Sequence, residues 1–528
     1  MMTNENQLQK LFKEIIFADK KIFVYISGYA IIVAILYLAL PLSVQIIINR
    51  VTHTALLQPV VIMSVVLMFL LALSAILTVL QKYLLEIYKR ISFVRISSDL
   101  FIKGLYADKK QLKKELTNDL SDKYFEIFNI QDTMAVLFIE GLLVVLQLAA
   151  GFVLSSFYHP YLFIINIITM AVIVFTWKIF KKSAIDTAIV RSENKYKVYA
   201  WFDNVLFNSF DLRNSSSHEF AIKKSHQVIG DYIESRINYW KINLAQTIIL
   251  TVLYSLLILA IFSVGSALVV KGQLTLGQLV ASEIIFMSSL VGISKLPMYF
   301  DYYYHLIASI DKMKYLINLE EDSNYMINQS FNNEKLFEYK QVVVKANDKT
   351  YNFDLTIFCQ KIQTIKVSSE DESILLLELM NYQTHIENKV IIIDEIESHY
   401  NNNVFNIDNT RLYTTEIIMY VTNQIDSFDY VQVENLLFDL GILDKINKFP
   451  NKLHTEIVND SLFTLREIIL LKICKAILMD AECILIGGLA RLLDRQDFIN
   501  IDKTFNLLKK TKLIIIDYET KLGDDYVV

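Results

Sequence analysis

At 528 residues the chain is long enough for more than one domain, and its 54% hydrophobic content points to a membrane protein. A formal net charge of -5 argues against a nucleic-acid partner. Cys359, Cys474 and Cys483 are scattered without metal-ligand spacing, so they read as small packing residues and no metal site is expected.

Residues 1–21 carry Lys10, Lys13, Lys20 and Lys21 ahead of the first apolar run. That run is too long for a signal-peptide core, so it reads as a retained span behind a cytoplasmic segment. Apolar stretches follow over residues 22–49, 54–81, 141–177, 242–270 and, more weakly, 274–300. The third exceeds the roughly 20 residues that one span needs. It breaks at His159-Pro160, which predicts two helices joined by a short turn and six spans in all.

An even number of spans returns the chain to its starting side, and Lys and Arg identify that side because cationic loops resist translocation. Lys82, Lys89, Arg90, Arg95, Lys103, Lys109, Lys110, Lys113 and Lys114 lie between spans two and three. Lys178, Lys181, Lys182, Arg191, Lys195 and Lys197 lie between spans four and five. Arg50 and Lys271 are nearly all the opposite loops offer, so both termini are expected in the cytoplasm.

The cytoplasmic connections read as helix. Leu84, Leu85, Tyr88, Ile91 and Ile96 recur among charges at helical spacing, with neither Gly nor Pro in residues 83–103. Within the sixth span Glu283 is a costly carboxylate and therefore a candidate membrane site, and Pro297 is expected to kink the same helix. Tyr302, Tyr303, Tyr304 and His305 read as packing near the cytoplasmic boundary. Residues 318–335, rich in Glu, Asp and Asn, form a linker between a membrane domain over 22–317 and a soluble domain over 336–528.

Several local sequences resemble the type I ABC exporters. Ala39-Leu40-Pro41-Leu42 resembles the end of their first span, and Gly265 to Val280 their loop between spans five and six. Asn118-Asp119-Leu120 followed by Tyr124-Phe125-Glu126-Ile127 is similar to the segment after the first coupling helix in the bacteriocin and type I secretion branch. The resemblance implies a multi-pass α-helical membrane domain with six spans, followed by a degenerate α/β ABC nucleotide-binding-like domain. It also implies that the branch's N-terminal cysteine-peptidase domain is missing here.

An ABC ATPase needs a Gly-rich loop so that bare backbone N–H groups can approach the phosphates. The corresponding stretch is Ile365 to Leu376, which contains no Gly and puts Glu372 near the position of the P-loop Lys. No register shift repairs this, because the chain holds no Gly between Gly292 and Gly441. Gly272 and Gly277 have the spacing of P-loop glycines but lie in an extracytoplasmic loop. Ile391-Ile392-Ile393-Asp394-Glu395 imitates a Walker B strand, yet its place in the family belongs to a structural strand, the alternative being a divergent metal site.

The signature aligns with Phe463-Thr464-Leu465-Arg466-Glu467, so Thr464, Leu465 and Arg466 cover the positions of Ser-Gly-Gly. His454, just before it, reads as a surface residue. Residues 482–494 resemble the Walker B strand and D-loop, with Gly487 and Gly488 where the metal-binding Asp and catalytic Glu belong and Asp494 as the last D-loop residue. Tyr518 replaces the switch His, and Asn423 or Gln424 is nearest to the glutamine-loop position.

These losses imply a non-catalytic subunit, a pseudo-ATPase with no cofactor of its own, which meets ATP and Mg2+ only through an intact ABC transporter partner. Such an oligomer would sit in a bacterial inner membrane and export a peptide or protein. In Gram-negative type I secretion a periplasmic adaptor and an outer-membrane channel complete the path. Asp119 and Leu120 fall in the expected first coupling segment, and Trp201, Phe202 and Asp203 in the second. Two alternatives stay open: an exporter-fold scaffold or receptor without transport, and a divergent active ATPase.

Overall fold

Long apolar runs with charged extensions produce helices far longer than a bilayer is thick. The computed structural model describes residues 20–37, 39–54, 57–107, 122–319, 335–346, 349–358, 362–380, 404–407, 409–425, 427–458, 462–481, 483–508 and 511–517. The chain divides into two units, Met1–Asp322 and Ser323–Val528. Among the described residues, six helices are long and apolar enough to cross a membrane.

The membrane unit runs α1 (Lys20–Tyr37), α2 (Ala39–Thr54), α3 (Leu57–Tyr106), α4 (Glu126–Val136), α5 (Leu142–Ser156), α6 (Pro160–Phe207), α7 (Ser215–Val270) and α8 (Leu276–Ile317). The first span, Val24–Ile48, takes in parts of α1 and α2. The Ala39-Leu40-Pro41-Leu42 segment does not end it, because α2 continues to Thr54. Pro41 sits in the first turn of α2, where a missing N–H breaks no helical bond.

Helix α3 has 50 residues and spans about 75 Å, against about 30 Å of hydrocarbon, so the helical reading of residues 83–103 holds. Lys103 Nζ donates to the carbonyl of Ile317 at 2.7 Å and ties the end of α3 to the end of α8. The expected break between spans three and four is also present. His159 caps α6 by accepting the Tyr161 N–H at 3.3 Å, with Pro160 in the first turn. The α7–α8 hairpin turns through Gly272 at φ +69°, and Thr275 and Gln278 form a capping box that starts α8.

Residues 137–141 form a π-helical turn between α4 and α5. Gly141 lies there beside the Tyr299 ring of α8, two residues from Pro297. Farther along, α5 and α8 approach closely through small residues. A Cβ on Gly292 would stand 3.2 Å from Leu148 and Val144, and one on Gly151 would stand 2.8 Å from Ser289 Oγ.

Two polar clusters join the helical extensions of the membrane unit, one buried around Glu126 and one half-buried around Asp301. Glu126 is 2% exposed and accepts from Lys195 Nζ (2.7 Å), Tyr196 OH (2.6 Å), Ser309 Oγ (2.6 Å) and Asn129 Nδ2 (2.9 Å). Asp301 accepts from Tyr239 OH and from Asn243 Nδ2 (2.6 Å), while Arg191 stacks on the Tyr239 ring and meets both ring nitrogens of His305. Tyr304 is fully buried, stacked on Trp177 and hydrogen-bonded by Gln246, as the packing reading of Tyr302 to His305 requires.

The second unit begins with an antiparallel pair, β1 (Lys335–Ala346) and β2 (Lys349–Phe358). Strands β3 (Ile362–Lys366), β4 (Val404–Ile407), β5 (Cys483–Ile486) and β6 (Lys512–Asp517) make a parallel sheet of order β3-β6-β5-β4. Its helices are α9 (Glu370–Met380), α10 (Ile417–Thr422), α11 (Tyr430–Asp439), α12 (Leu443–Ile446), α13 (Leu465–Leu478) and α14 (Arg495–Leu507). The central strands are apolar over Cys483–Ile486 and, between the terminal Lys512 and Asp517 of β6, over residues 513–516, because both faces are covered there. Ile484, Ile486, Leu513 and Ile515 pack into one core with α13 and α14, and Cys483, Leu485, Ile514 and Ile516 into another with α9. Cys474 and Cys483 are buried as expected, and Cys359 lies outside the described residues.

Candidate functional site

The stretch expected to correspond to a P-loop is the turn from β3 into α9. Ser369 Oγ accepts the Glu372 N–H at 3.2 Å, and the Glu372 carboxylate reaches back to accept the Ser368 N–H at 2.6 Å. Glu370, Asp371 and Glu372 all lie in the first helical turn, where the helix dipole favours negative charge. The charge at this helix start is therefore supplied by the chain itself.

At the end of β5, Gly487 and Gly488 differ sharply. A Cβ built on Gly487 would run into Leu377 Cδ1, which projects from α9, whereas one on Gly488 would meet nothing within 4 Å. Leu377 thus fills the space that a side chain at 487 would need. It is a residue for which the sequence carries no signal, since it reads as ordinary helix packing.

At the start of α13, Thr464 and Glu467 form a capping box: Thr464 Oγ1 accepts the Glu467 N–H, and Glu467 accepts the Thr464 N–H at 2.7 Å. Burial by itself would raise the Glu467 carboxyl, but the bonds from Lys445 and Thr464 hold it below the ordinary carboxylate range. Leu465 is 52% exposed. Arg466 makes a bidentate pair with fully buried Asp497, both bonds at 2.5 Å, and reaches Asp494 at 3.4 Å. Asp494 and Asp497 cap α14 reciprocally, so the signature and D-loop positions are bound to each other.

Asn423, at the glutamine-loop position, adopts φ 54° and accepts from Tyr413 OH at 3.2 Å. Tyr413 in turn accepts from Lys475 Nζ at 2.7 Å, and that ammonium lies over the rings of Tyr413 and Tyr420. Burial, with Lys472 one turn away, pushes Lys475 down to about 8. His454 is half exposed and pairs with Glu416 at 2.7 Å, in keeping with a surface role.

Trp201 packs at the end of α6, donating to Ser225 Oγ at 2.8 Å and meeting Phe220 edge-on. Phe202 and Phe207 at the end of α6 are exposed, as is Phe210 in the turn to α7, and Asp203 is partly buried. Glu283 lies in α8 beside Phe286 and Met287, facing Ile261 and Phe262 of α7. Tyr518, Asp119, Leu120 and residues 391–395 lie outside the described residues. The polar clusters around Glu126 and Asp301 escape sequence reasoning, because their partners come from distant helices.

Six apolar helices with long extensions define a multi-pass membrane protein of the type I ABC exporter fold, embedded in a lipid bilayer. The family model of the ABC transporter transmembrane region matches residues 23–293, and the chain belongs to this family. The structure of a bacterial Atm1-family ABC exporter with ATP bound superposes with a TM-score of 0.77 at 14% identity, covering 95% of this chain and 91% of that one. At that identity the likeness is one of fold. No curated protein sequence matches the chain.

Proposed function

We propose that the chain is a non-catalytic subunit of an ABC exporter, resembling the bacteriocin and type I secretion branch, and is energised by an intact ABC partner. The observation that carries this reading is the Glu372 carboxylate on the Ser368 N–H at 2.6 Å. A phosphate at a helix start needs free backbone donors and a basic side chain. Here the donor is taken by an anion and the first turn holds three carboxylates, which repel a triphosphate.

Two more features support the reading. Leu377 Cδ1 stands where a Cβ at position 487 would go and would have to move to admit a metal-binding Asp, and the start of α13 is closed by Thr464 and Glu467 instead of glycine amides. ATP with Mg2+ does not fit these residues. The chain's own contribution is mechanical: the Trp201-anchored turn presents Phe202, Phe207 and Phe210 as an apolar contact for a partner's soluble domain, and Asp119 and Leu120 belong to the other coupling segment. The setting is a bacterial inner membrane with both termini cytoplasmic, a secreted peptide or protein as cargo, and in Gram-negative cells a periplasmic adaptor and outer-membrane channel.

The test is ATP–Mg2+ binding and hydrolysis by the purified full chain, alone and after pull-down from its native membrane. Expected are neither activity from the chain alone, and co-purification with an intact ABC subunit that supplies hydrolysis. Turnover by the chain alone would sink the proposal. Secretion that continues unchanged after deletion of the gene would favour the scaffold reading instead.

A further inference from the structure

His305 of α8 is surrounded by charged and titratable groups from α4, α6, α7 and α8. From α6, Arg191 Nη2 lies 2.8 Å from its Nδ1 and 2.9 Å from its Nε2. From α7, the Tyr239 ring meets it edge-on, and Arg191 lies over that same ring. Asp301 stands one turn earlier on α8, with Oδ2 3.6 Å from Nε2. Lys195 of α6 and Glu126 of α4 complete the charges around the imidazole.

This arrangement suits only an uncharged ring. Arg191 is always cationic, so a neutral imidazole offers it a lone pair, whereas a charged imidazole sets two like charges at the same 2.8–2.9 Å. A second partner is already in place. Asp301 Oδ1 accepts from Tyr239 OH and from Asn243 Nδ2, but Oδ2 faces His305 from just outside hydrogen-bond length. The His305 side chain is 41% exposed and lies past the end of the apolar stretch at residue 300, so protons reach it from solvent. Histidine is the side chain whose ordinary charge change falls between about pH 5 and 8.

We propose that His305 is a proton-operated joint between α6 and α8. Neutral, it holds Arg191 and so ties α8 to α6; protonated, it releases Arg191 and turns to Asp301 of its own helix. The proton comes from solvent and no covalent bond changes. Along α6, the Trp177 stack on Tyr304 precedes the joint and the Glu193–Lys312 pair at 3.1 Å follows it. These contacts keep the two helices together, so acid slackens the joint without separating them. The inference rests on contacts inside the membrane unit and is independent of whether the soluble unit hydrolyses ATP.

The test is hydrogen exchange of the detergent-purified full chain, read by mass spectrometry at about pH 7.5 and about pH 5.5. Protection factors remove the intrinsic pH dependence of exchange. The expected result is a fall of about threefold or more at the lower pH in residues 188–196 of α6 and 301–309 of α8. His305→Gln, which keeps a neutral acceptor, should hold protection constant between the two. Arg191→Gln, which removes the opposing charge, should also flatten the response and serves as the second variant should His305→Gln fail to fold. Wild-type protection that does not change with pH, or a fall that survives either folded variant, overturns the proposal. An equal fall across all the helices of the membrane unit would be general acid unfolding and overturns it as well.

Discussion

In the membrane unit the carboxylate of Glu126 gathers donors from α6 and α8 as well as from its own helix, whereas in the soluble unit that of Glu372 turns back onto the backbone four residues earlier. The contrast comes from burial. Glu126 is sealed among helices and must be neutralised by partners that fold around it, so it fixes their relative position. Glu372 stands at an exposed helix start, where its effect is local: it satisfies an amide and favours the dipole. One acid organises tertiary structure; the other caps the start of its own helix.

The largest effect is expected at Glu126. Glu126→Ala removes a buried acceptor of four bonds but leaves half-exposed Lys195 in reach of solvent, so it should cost about 2–4 kcal/mol, chiefly from the donors left unpaired. Thermal unfolding of the detergent-solubilised protein measures it, and a loss under about 1 kcal/mol would mean that the cluster does not hold the helices. Next come the two glycines. Gly487→Asp should destabilise by about 1–3 kcal/mol through overpacking against Leu377 and should be relieved by Leu377→Ala, while Gly488→Asp should stay within about 0.5 kcal/mol. Equal effects at 487 and 488 would erase the asymmetry read from the structure.

The smallest effect concerns pH. Lys475 is depressed from 10.5 to about 8 by burial and by Lys472, so between those values the unfolded chain holds a proton that the folded chain has released. Stability of the soluble unit should therefore rise as pH climbs from about 8 towards 10.5, and Lys475→Met should remove that rise. Denaturant midpoints at a series of pH values provide the comparison. A variant that keeps the wild-type slope would assign it to other groups.

Much of the membrane unit was legible because its signals are local. Hydropathy set the six spans, His159-Pro160 marked the turn between two of them, and helical spacing across residues 83–103 carried α3 far beyond the bilayer. The Glu126 cluster was not legible, since Lys195 and Ser309 lie 69 and 183 positions away and nothing in a sequence aims one at another. The π-helical turn at residues 137–141 gives no compositional sign either. At the turn into α9 the run of acids was readable as a concentration of negative charge. That Glu372 spends its charge on Ser368, and that Leu377 closes the space beside Gly487, needed coordinates.

The contact between position 487 and Leu377 also couples the two positions as a pair. With leucine at 377, the first effect of any side chain placed at 487 is a collision. Shrinking residue 377 alone leaves a void, which is penalised too. Either change alone therefore strains or hollows the packing beside β5, and a side chain at 487 is accommodated best when residue 377 shrinks with it.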